Sequence, residues 1–354
     1  MRARSSGLLL LALASLLALQ GCYLLKQGAA ILSCNCQARD IERMLQEPGL
    51  APELRQTLLL VLEIKRYAVE TLGLKENRNY TRYVALERKY LVDVVSACAK
   101  DRFQPYLWRY CFFGSFPYKG FFARKDALRE AEALKRRDLD VLVRPVDAFS
   151  TLGFFNDPVY SFMDRYSVFE LASLILHEQT HATLFLKNEV QFNEELASFM
   201  GQEGALGFIR KRYGPDSAAY RQAMESLQDQ DAFHGLILGL YGELEALYRG
   251  PASREEKLTR RREIFAAFNR ELGAAAPQRF KSEEFRGLHD LPLNNAYVMA
   301  FVQYTEHLGL FTRLYQALGG DLRETFARIR GVKNRRGKAK AYLEELIAAA
   351  ESGR

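Results

Sequence analysis

Residues 166–199, YSVFELASLILHEQTHATLFLKNEVQFNEELASF, constrain this chain more than any other stretch. His177-Glu178-Gln179-Thr180-His181 fits H-E-x-x-H, in which two histidines four residues apart project from one helix face to hold zinc and the glutamate between them serves as general base. The helix is expected before any metal is considered. Phe169, Leu171, Leu174, Ile175 and Leu176 are dense enough for a mostly buried helix. His177 and His181 continue the ridge that Leu174 begins, because residues three and four apart share a face. Either histidine alone reads most simply as a hydrogen-bonded core residue. In a chain with only 5 histidines, the pair around a glutamate points to Zn2+ as cofactor.

Catalytic zinc usually has three protein ligands and a water, so two histidines leave one place to fill. The metzincin continuation needs Gly at 184 and His at 187; the chain has Leu184 and Lys187, which excludes that class. Asn193-Glu194-Glu195-Leu196-Ala197 instead resembles the N-E-x-x-A element with which zincins of the thermolysin and aminopeptidase type deliver a glutamate from a second helix. Glu194 is therefore the expected third ligand. A helix continuing about six residues past His181 moves roughly 9 Å away, and six extended residues return about 20 Å. Lys187-Asn188-Glu189 can make the reversal. Alternatively Asn193 caps the second helix and Glu194 and Glu195 complement its positive end, and both accounts can hold together. On the face shared with Glu194 run Ala197, Ser198, Gly201, Gly204 and Ala205, a stripe of small residues that lets two helices approach closely. Ser198, one turn on, is placed to orient a ligand.

FPYKGFF, STLGFFNDP, HEQTH, FNEELASFMGQEG and LNNAYVMAFVQY, behind a lipoprotein leader, together resemble a bacterial family of zinc aminopeptidases, mostly predicted lipoproteins. The similarity spans about residues 23–330. It implies an α+β, zincin-like metallopeptidase, mainly helical, with a small antiparallel or mixed sheet beside the H-E-x-x-H helix, acting on a peptide or protein substrate. Residues 139–146, with Val141, Val143 and Val146 in alternation, read as a strand. Zincins place an edge strand above the metal, where an extended peptide adds by backbone hydrogen bonds. With residues 150–155 this strand forms the candidate substrate shelf, Thr151 and Gly153 being the substrate-binding candidates, Gly153 because it permits close backbone approach. A simple turn is the other account. The oxyanion needs a donor, typically Tyr or His in zincins. The 294–304 stretch matches the family and makes Tyr304 the candidate, against the plainer account of a packed helix tyrosine.

The expected chemistry is attack of a metal-activated water on a peptide carbonyl, with Glu178 taking the proton and passing it to the leaving amine. An exopeptidase also needs an anion for the substrate's free ammonium. The Gly-x-Met-x-Asn of large zinc aminopeptidases is absent, and Glu170, Asp157 and Glu243 are available substitutes. Two alternatives stay open: a zinc endopeptidase acting on envelope proteins, and a non-enzymatic envelope lipoprotein with a vestigial zinc helix. A purely structural site has no need of Glu178, which argues against the latter.

Residues 1–21 read as an address outside the fold. Arg2 and Arg4 precede an apolar run at 8–19, and Leu19-Gln20-Gly21-Cys22 matches a lipobox, making Cys22 the lipidation site and the membrane a partner through that anchor. An ordinary signal peptide or a membrane anchor are the alternatives. Tyr23 stands where an inner-membrane retention signal usually has Asp, which favours the outer membrane, facing the periplasm. Loss of Arg2 and Arg4 lowers the formal charge from +7 to +5, too small and dispersed an excess for nucleic acid. The densest basic run, 323–340, is a solvated surface or a contact for anionic lipid headgroups.

The chain left after residue 21 suits one large domain or two lobes around a cleft. A tether with a first short helix at 22–48 is expected, then a single domain at 49–354 with a β-containing upper part at about 80–165 and a helical lower part at about 166–354. Residues 51–72 form an amphipathic helix, 90–122 contain strands, 126–137 a charged helix, and 216–249, 253–272 and 294–318 further helices. Four cysteines remain beyond Cys22 in an oxidising compartment. The expected bridge joins Cys98 to Cys111 across a hairpin, leaving Cys34 and Cys36 to pair locally or stay reduced. His234, His289 and His307 have no motif around them.

Overall fold

The computed structural model describes residues 23, 26–30, 32–110, 114–147, 156–187, 189–302, 308–335 and 339–353. Among them the chain is mainly helical with small sheets, an α+β arrangement. The strands are β1 (Arg39–Asp40), β2 (Arg82–Val84), β3 (Val92–Ala99), β4 (Trp108–Tyr110), β5 (Gly114–Phe116), β6 (Tyr118–Phe121), β7 (Leu139–Val146) and β8 (Val159–Tyr160). The main helices in chain order are α1 (Pro52–Glu70), α2 (Arg124–Lys135), α3 (Val168–Thr183), α4 (Val190–Tyr213), α5 (Ala218–Arg249), α6 (Arg254–Arg279), α7 (Asn295–Val302), α8 (Leu308–Ala317), α9 (Leu322–Ile329) and α10 (Ala339–Glu351).

β3 is the centre of an antiparallel sheet ordered β6-β3-β7, so β7 is an edge strand of that sheet, as the zincin resemblance implies. Alternation along β3 divides its side chains between two layers. Val95 and Ala97 pack with Ala127, Ala131 and Leu134 of α2, whereas Val94 and Ser96 border Ala296 and Met299 of α7. A second sheet is mixed, β1 antiparallel and β8 parallel to β2, and β4 with β5 forms a two-stranded hairpin. The largest core joins α1, α3 and α4 to the C-terminal helices through Leu58, Ile64, Ile175, Phe192, Phe311 and Phe326. α5, α6 and α7 enclose a separate one around Phe233, Ile237, Leu244 and Phe265. No helix among the described residues is long and apolar enough to cross a membrane.

The two parts are joined by a buried ion pair. Arg261 of α6 grips Asp140 of β7 with both Nη atoms, at 2.6 and 3.0 Å. Asp140 also accepts the backbone N–H of Asn295 at 2.9 Å, and Asn295 donates its amide to the Ala99 carbonyl at 2.8 Å. Asn294 reaches the Val141 carbonyl at 3.2 Å. The Asn294-Asn295 pair is thus a joint between helix and sheet, which accounts for that part of the family-like stretch without any chemistry. Asp140→Ala strands a buried guanidinium and is expected to cost about 3–5 kcal/mol, read as a lowered denaturant midpoint.

Several sequence expectations are corrected. Residues 26–30 and 32–37 are helical, and Tyr23 donates to the Gly120 carbonyl at 2.6 Å while Gln27 accepts from the Phe122 N–H at 3.0 Å. From Tyr23 onward this segment docks on β6 and is no free tether. α6 continues to Arg279, beyond the expected residue 272, because the alanines at 274–276 sustain it. The helix expected at 294–318 is α7 and α8, with residues 303–307 outside the described set.

Cys98 is a free, buried thiol, so the expected bridge to Cys111 is not present; Cys111 itself lies outside the described residues. The Cys98 thiol points instead at the Arg102 carbonyl, and burial pushes its pKa up to about 12. Cys34 and Cys36 are free as well.

Candidate metal centre

α3 begins with a capping box: Ser167 Oγ accepts the Glu170 N–H at 3.2 Å and the Glu170 carboxylate accepts the Ser167 N–H at 2.7 Å. Its buried side carries Phe169, Leu171, Ala172, Ile175 and Leu176, and His177 and His181 stand on its last two turns. Gln179 is fully buried and donates to the Lys75 carbonyl at 3.0 Å, which fixes the rotation of this helix end.

The chain then reverses within a few residues and α4 returns along α3. Asn193 makes that reversal, and not as a helix cap: α4 already starts at Val190. Its side-chain amide accepts the Leu186 N–H and donates to the Leu186 carbonyl, both at 2.8 Å. The small-residue stripe brings the helices together as expected. A Cβ on Gly201 would lie 2.7 Å from the Ser173 carbonyl oxygen and 3.3 Å from His177 Cβ, and one on Gly204 would lie 2.8 Å from Leu176 Cδ1. Glu195 is buried and accepts from Gln191 at 3.0 Å, whereas Ser198 makes no hydrogen bond to His177, His181 or Glu194.

The result is convergence. His177 Nε2 and His181 Nε2 are 3.1 Å apart, and they face Glu194 Oε2 and Oε1 at 3.6 and 3.7 Å. Among the described residues these three form the one cluster of His, Cys, Asp or Glu suited to a metal ion. Neighbouring ligand atoms around a tetrahedral ion with bonds of about 2.0–2.1 Å stand roughly 3.4 Å apart, so spacing and donor chemistry both fit zinc. Burial alone would raise the Glu194 carboxyl, but its contacts with the His177 and His181 imidazoles outweigh burial and hold it far below the ordinary carboxylate range. Burial likewise works against a charge on His181, yet the contact with Glu194 and the charge of Glu178 raise its pKa. A proton held there and a metal ion compete for the same nitrogens.

Glu178 is 8% exposed, and its carboxylate has no hydrogen-bond partner among the described residues. It faces a small cavity shared with Tyr80, Asp147, Asp157 and Tyr160. Tyr80 is fully buried in a left-handed backbone conformation, φ 56°, which costs a bulky residue about 1–3 kcal/mol. Its N–H donates to the Asp157 carbonyl at 2.6 Å, and Asp157 N–H donates to Asn79 at 3.2 Å, so the two segments are pinned together. On β6, Tyr118 has its hydroxyl pKa pushed up to about 12 by burial and then by the charges of Glu194 and Glu178, with Arg144 opposing. It is a neutral donor that feels the charge of both carboxylates.

Sequence reasoning passed over Tyr80 and Tyr118. The FPYKGFF stretch that contains Tyr118 reads only as strand, although its place among the family-like motifs was a usable signal. Cys22, Thr151, Gly153 and Tyr304 lie outside the described residues. The end of β7 does reach the site, since Asp147 follows it and accepts the Tyr166 hydroxyl.

Two close-packed helices thus bring two histidines and a glutamate together as donors that could hold a metal ion, with a further glutamate between the histidines. The family described as "Putative aminopeptidase" matches residues 22–342, and the chain belongs to that family. Neither a curated protein nor a solved structure matches the chain.

Proposed function

We propose that this protein is a zinc-dependent aminopeptidase with a zincin-like active site, anchored by lipid on Cys22 in the bacterial envelope, at the outer membrane facing the periplasm. The observation that carries the reading is the cluster of His177, His181 and Glu194 beside the unpartnered Glu178; family membership supports the peptidase class. Both histidine Nε2 atoms and a Glu194 carboxylate oxygen would hold Zn2+, which when bound supplies Lewis acidity that polarises a carbonyl and acidifies water. Glu178 accepts the proton of the attacking water and delivers it to the leaving amine. Having no competing donor, its carboxylate is free for both transfers. Tyr118 donates its phenol proton as a hydrogen bond to the developing oxyanion. The leader and lipobox at residues 1–22 support the location.

Zinc content of the purified protein tests the reading beside that of a Glu194→Ala variant. The wild type is expected to hold about one zinc per chain, the count of a single three-ligand site, and the variant to lose it. Zinc is also expected to leave the wild type as pH falls, because protons displace it from the histidines. A wild type that takes up no zinc after reconstitution would turn the reading toward a non-enzymatic lipoprotein.

A further inference from the structure

The geometry points to Asp157, with Asp147 beside it, as the anion that receives the α-ammonium group of the substrate. This inference rests on the peptidase reading above and names the feature that would make the enzyme an exopeptidase. Asp157 precedes β8 and Asp147 follows β7, yet both line the same cavity as Glu178. The cavity leaves about 10 Å³ for the centre of a water-sized group, which is about what one water molecule requires and therefore one ammonium.

Glu178 and Tyr80, 8% and 1% exposed, and Asp157 all face this space, and among the described residues their side chains show no hydrogen bond. Asp147, by contrast, accepts the Tyr166 hydroxyl. The Asp157 carboxylate, in one cavity with the rings of Tyr80 and Tyr160, suits a cation that donates hydrogen bonds and gains from aromatic faces, and leaves Glu178 to the proton transfers. Burial and the charge of Glu178 push the Asp157 pKa up to about 7, a repulsion that an ammonium would relieve.

The other acidic candidates are excluded by placement. Glu170 is exposed and committed to the capping box of α3, and Glu243 is exposed on α5. The position also explains end-specificity. Buried Pro158 and Met163 line the cavity beside Asp157, and its size suits an ammonium better than a further residue of a longer chain.

The test uses zinc-loaded full-length protein and two zinc-binding ligands, leucine hydroxamate and N-acetyl-leucine hydroxamate, with affinities measured by calorimetry. The wild type is expected to prefer the free amine by roughly 100-fold, the size of a buried charge contact. Asp157→Asn should reduce that preference to a few-fold, leaving zinc content and affinity for the acetylated ligand unchanged. The asparagine is isosteric and keeps the backbone bonds to Asn79 and Tyr80, and the acetylated ligand reports an intact site. Equal weakening of both ligands, or an undiminished preference in the variant, overturns the assignment of Asp157. A zinc-loaded wild type that binds neither hydroxamate overturns the peptidase reading itself, and with it the inference.

Discussion

Glu178→Gln is expected to keep its zinc and lose turnover by roughly 10³- to 10⁴-fold, the scale of a missing general base. The separation of the two readouts follows from the geometry. Glu178 is not one of the three converging residues, so the metal loses no donor. It has no hydrogen-bond partner among the described residues, so a neutral isostere strands nothing and the fold should be indifferent. What disappears is a carboxylate able to take a proton. Metal analysis, a melting curve and peptide turnover on one preparation settle the matter. Hydrolysis at the wild-type rate would remove Glu178 from the mechanism.

Gly201→Ala carries the second large effect, and here stability and metal binding should fall together. The added methyl would meet the Ser173 carbonyl at 2.7 Å, and a backbone oxygen within a helix cannot turn aside as a side chain does. The helices must separate, at about 1–3 kcal/mol for overpacking. Gly201 lies against His177, two turns from Glu194, so separation widens the gap the metal must bridge. Zinc affinity is expected to drop with the melting temperature. Gly235→Ala on α5 is the control: a Cβ there meets nothing within 4 Å, and an exposed helical alanine should add about 0.5–1 kcal/mol. Equal melting temperatures for the two variants would refute the role of close packing at Gly201.

These two residues also mark what a linear reading reaches. The H-E-x-x-H motif, Glu194, Gly201 and Gly204 all lie within a 28-residue span, and their relations follow from the period of a helix. β7 is legible for the same reason, through strict alternation. The cavity beside Glu178 draws Tyr80 and Asp157 from segments 77 residues apart, and nothing in either segment announces the other. Tyr118 arrives from a third. The Cys98 expectation has a similar origin: counting cysteines says that bridges are possible, whereas the Cys98 thiol is free and buried. Asn193 was misplaced because its type favours caps, while its amide found a better partner in the peptide of Leu186. Tyr23 and Gln27 look like linker residues until the sheet they dock on is in place.

The Asn193 clamp has a consequence for how the metal comes and goes. A side-chain amide helps turn the chain between α3 and α4, so the reversal that brings the three donors together has bonds of its own besides any an ion would make. If zinc fills the site, the metal is then expected to be a replaceable part: stripped by a chelator, the protein should take it up again, and the speed of exchange should track the ion's access to Glu194 instead of any refolding step.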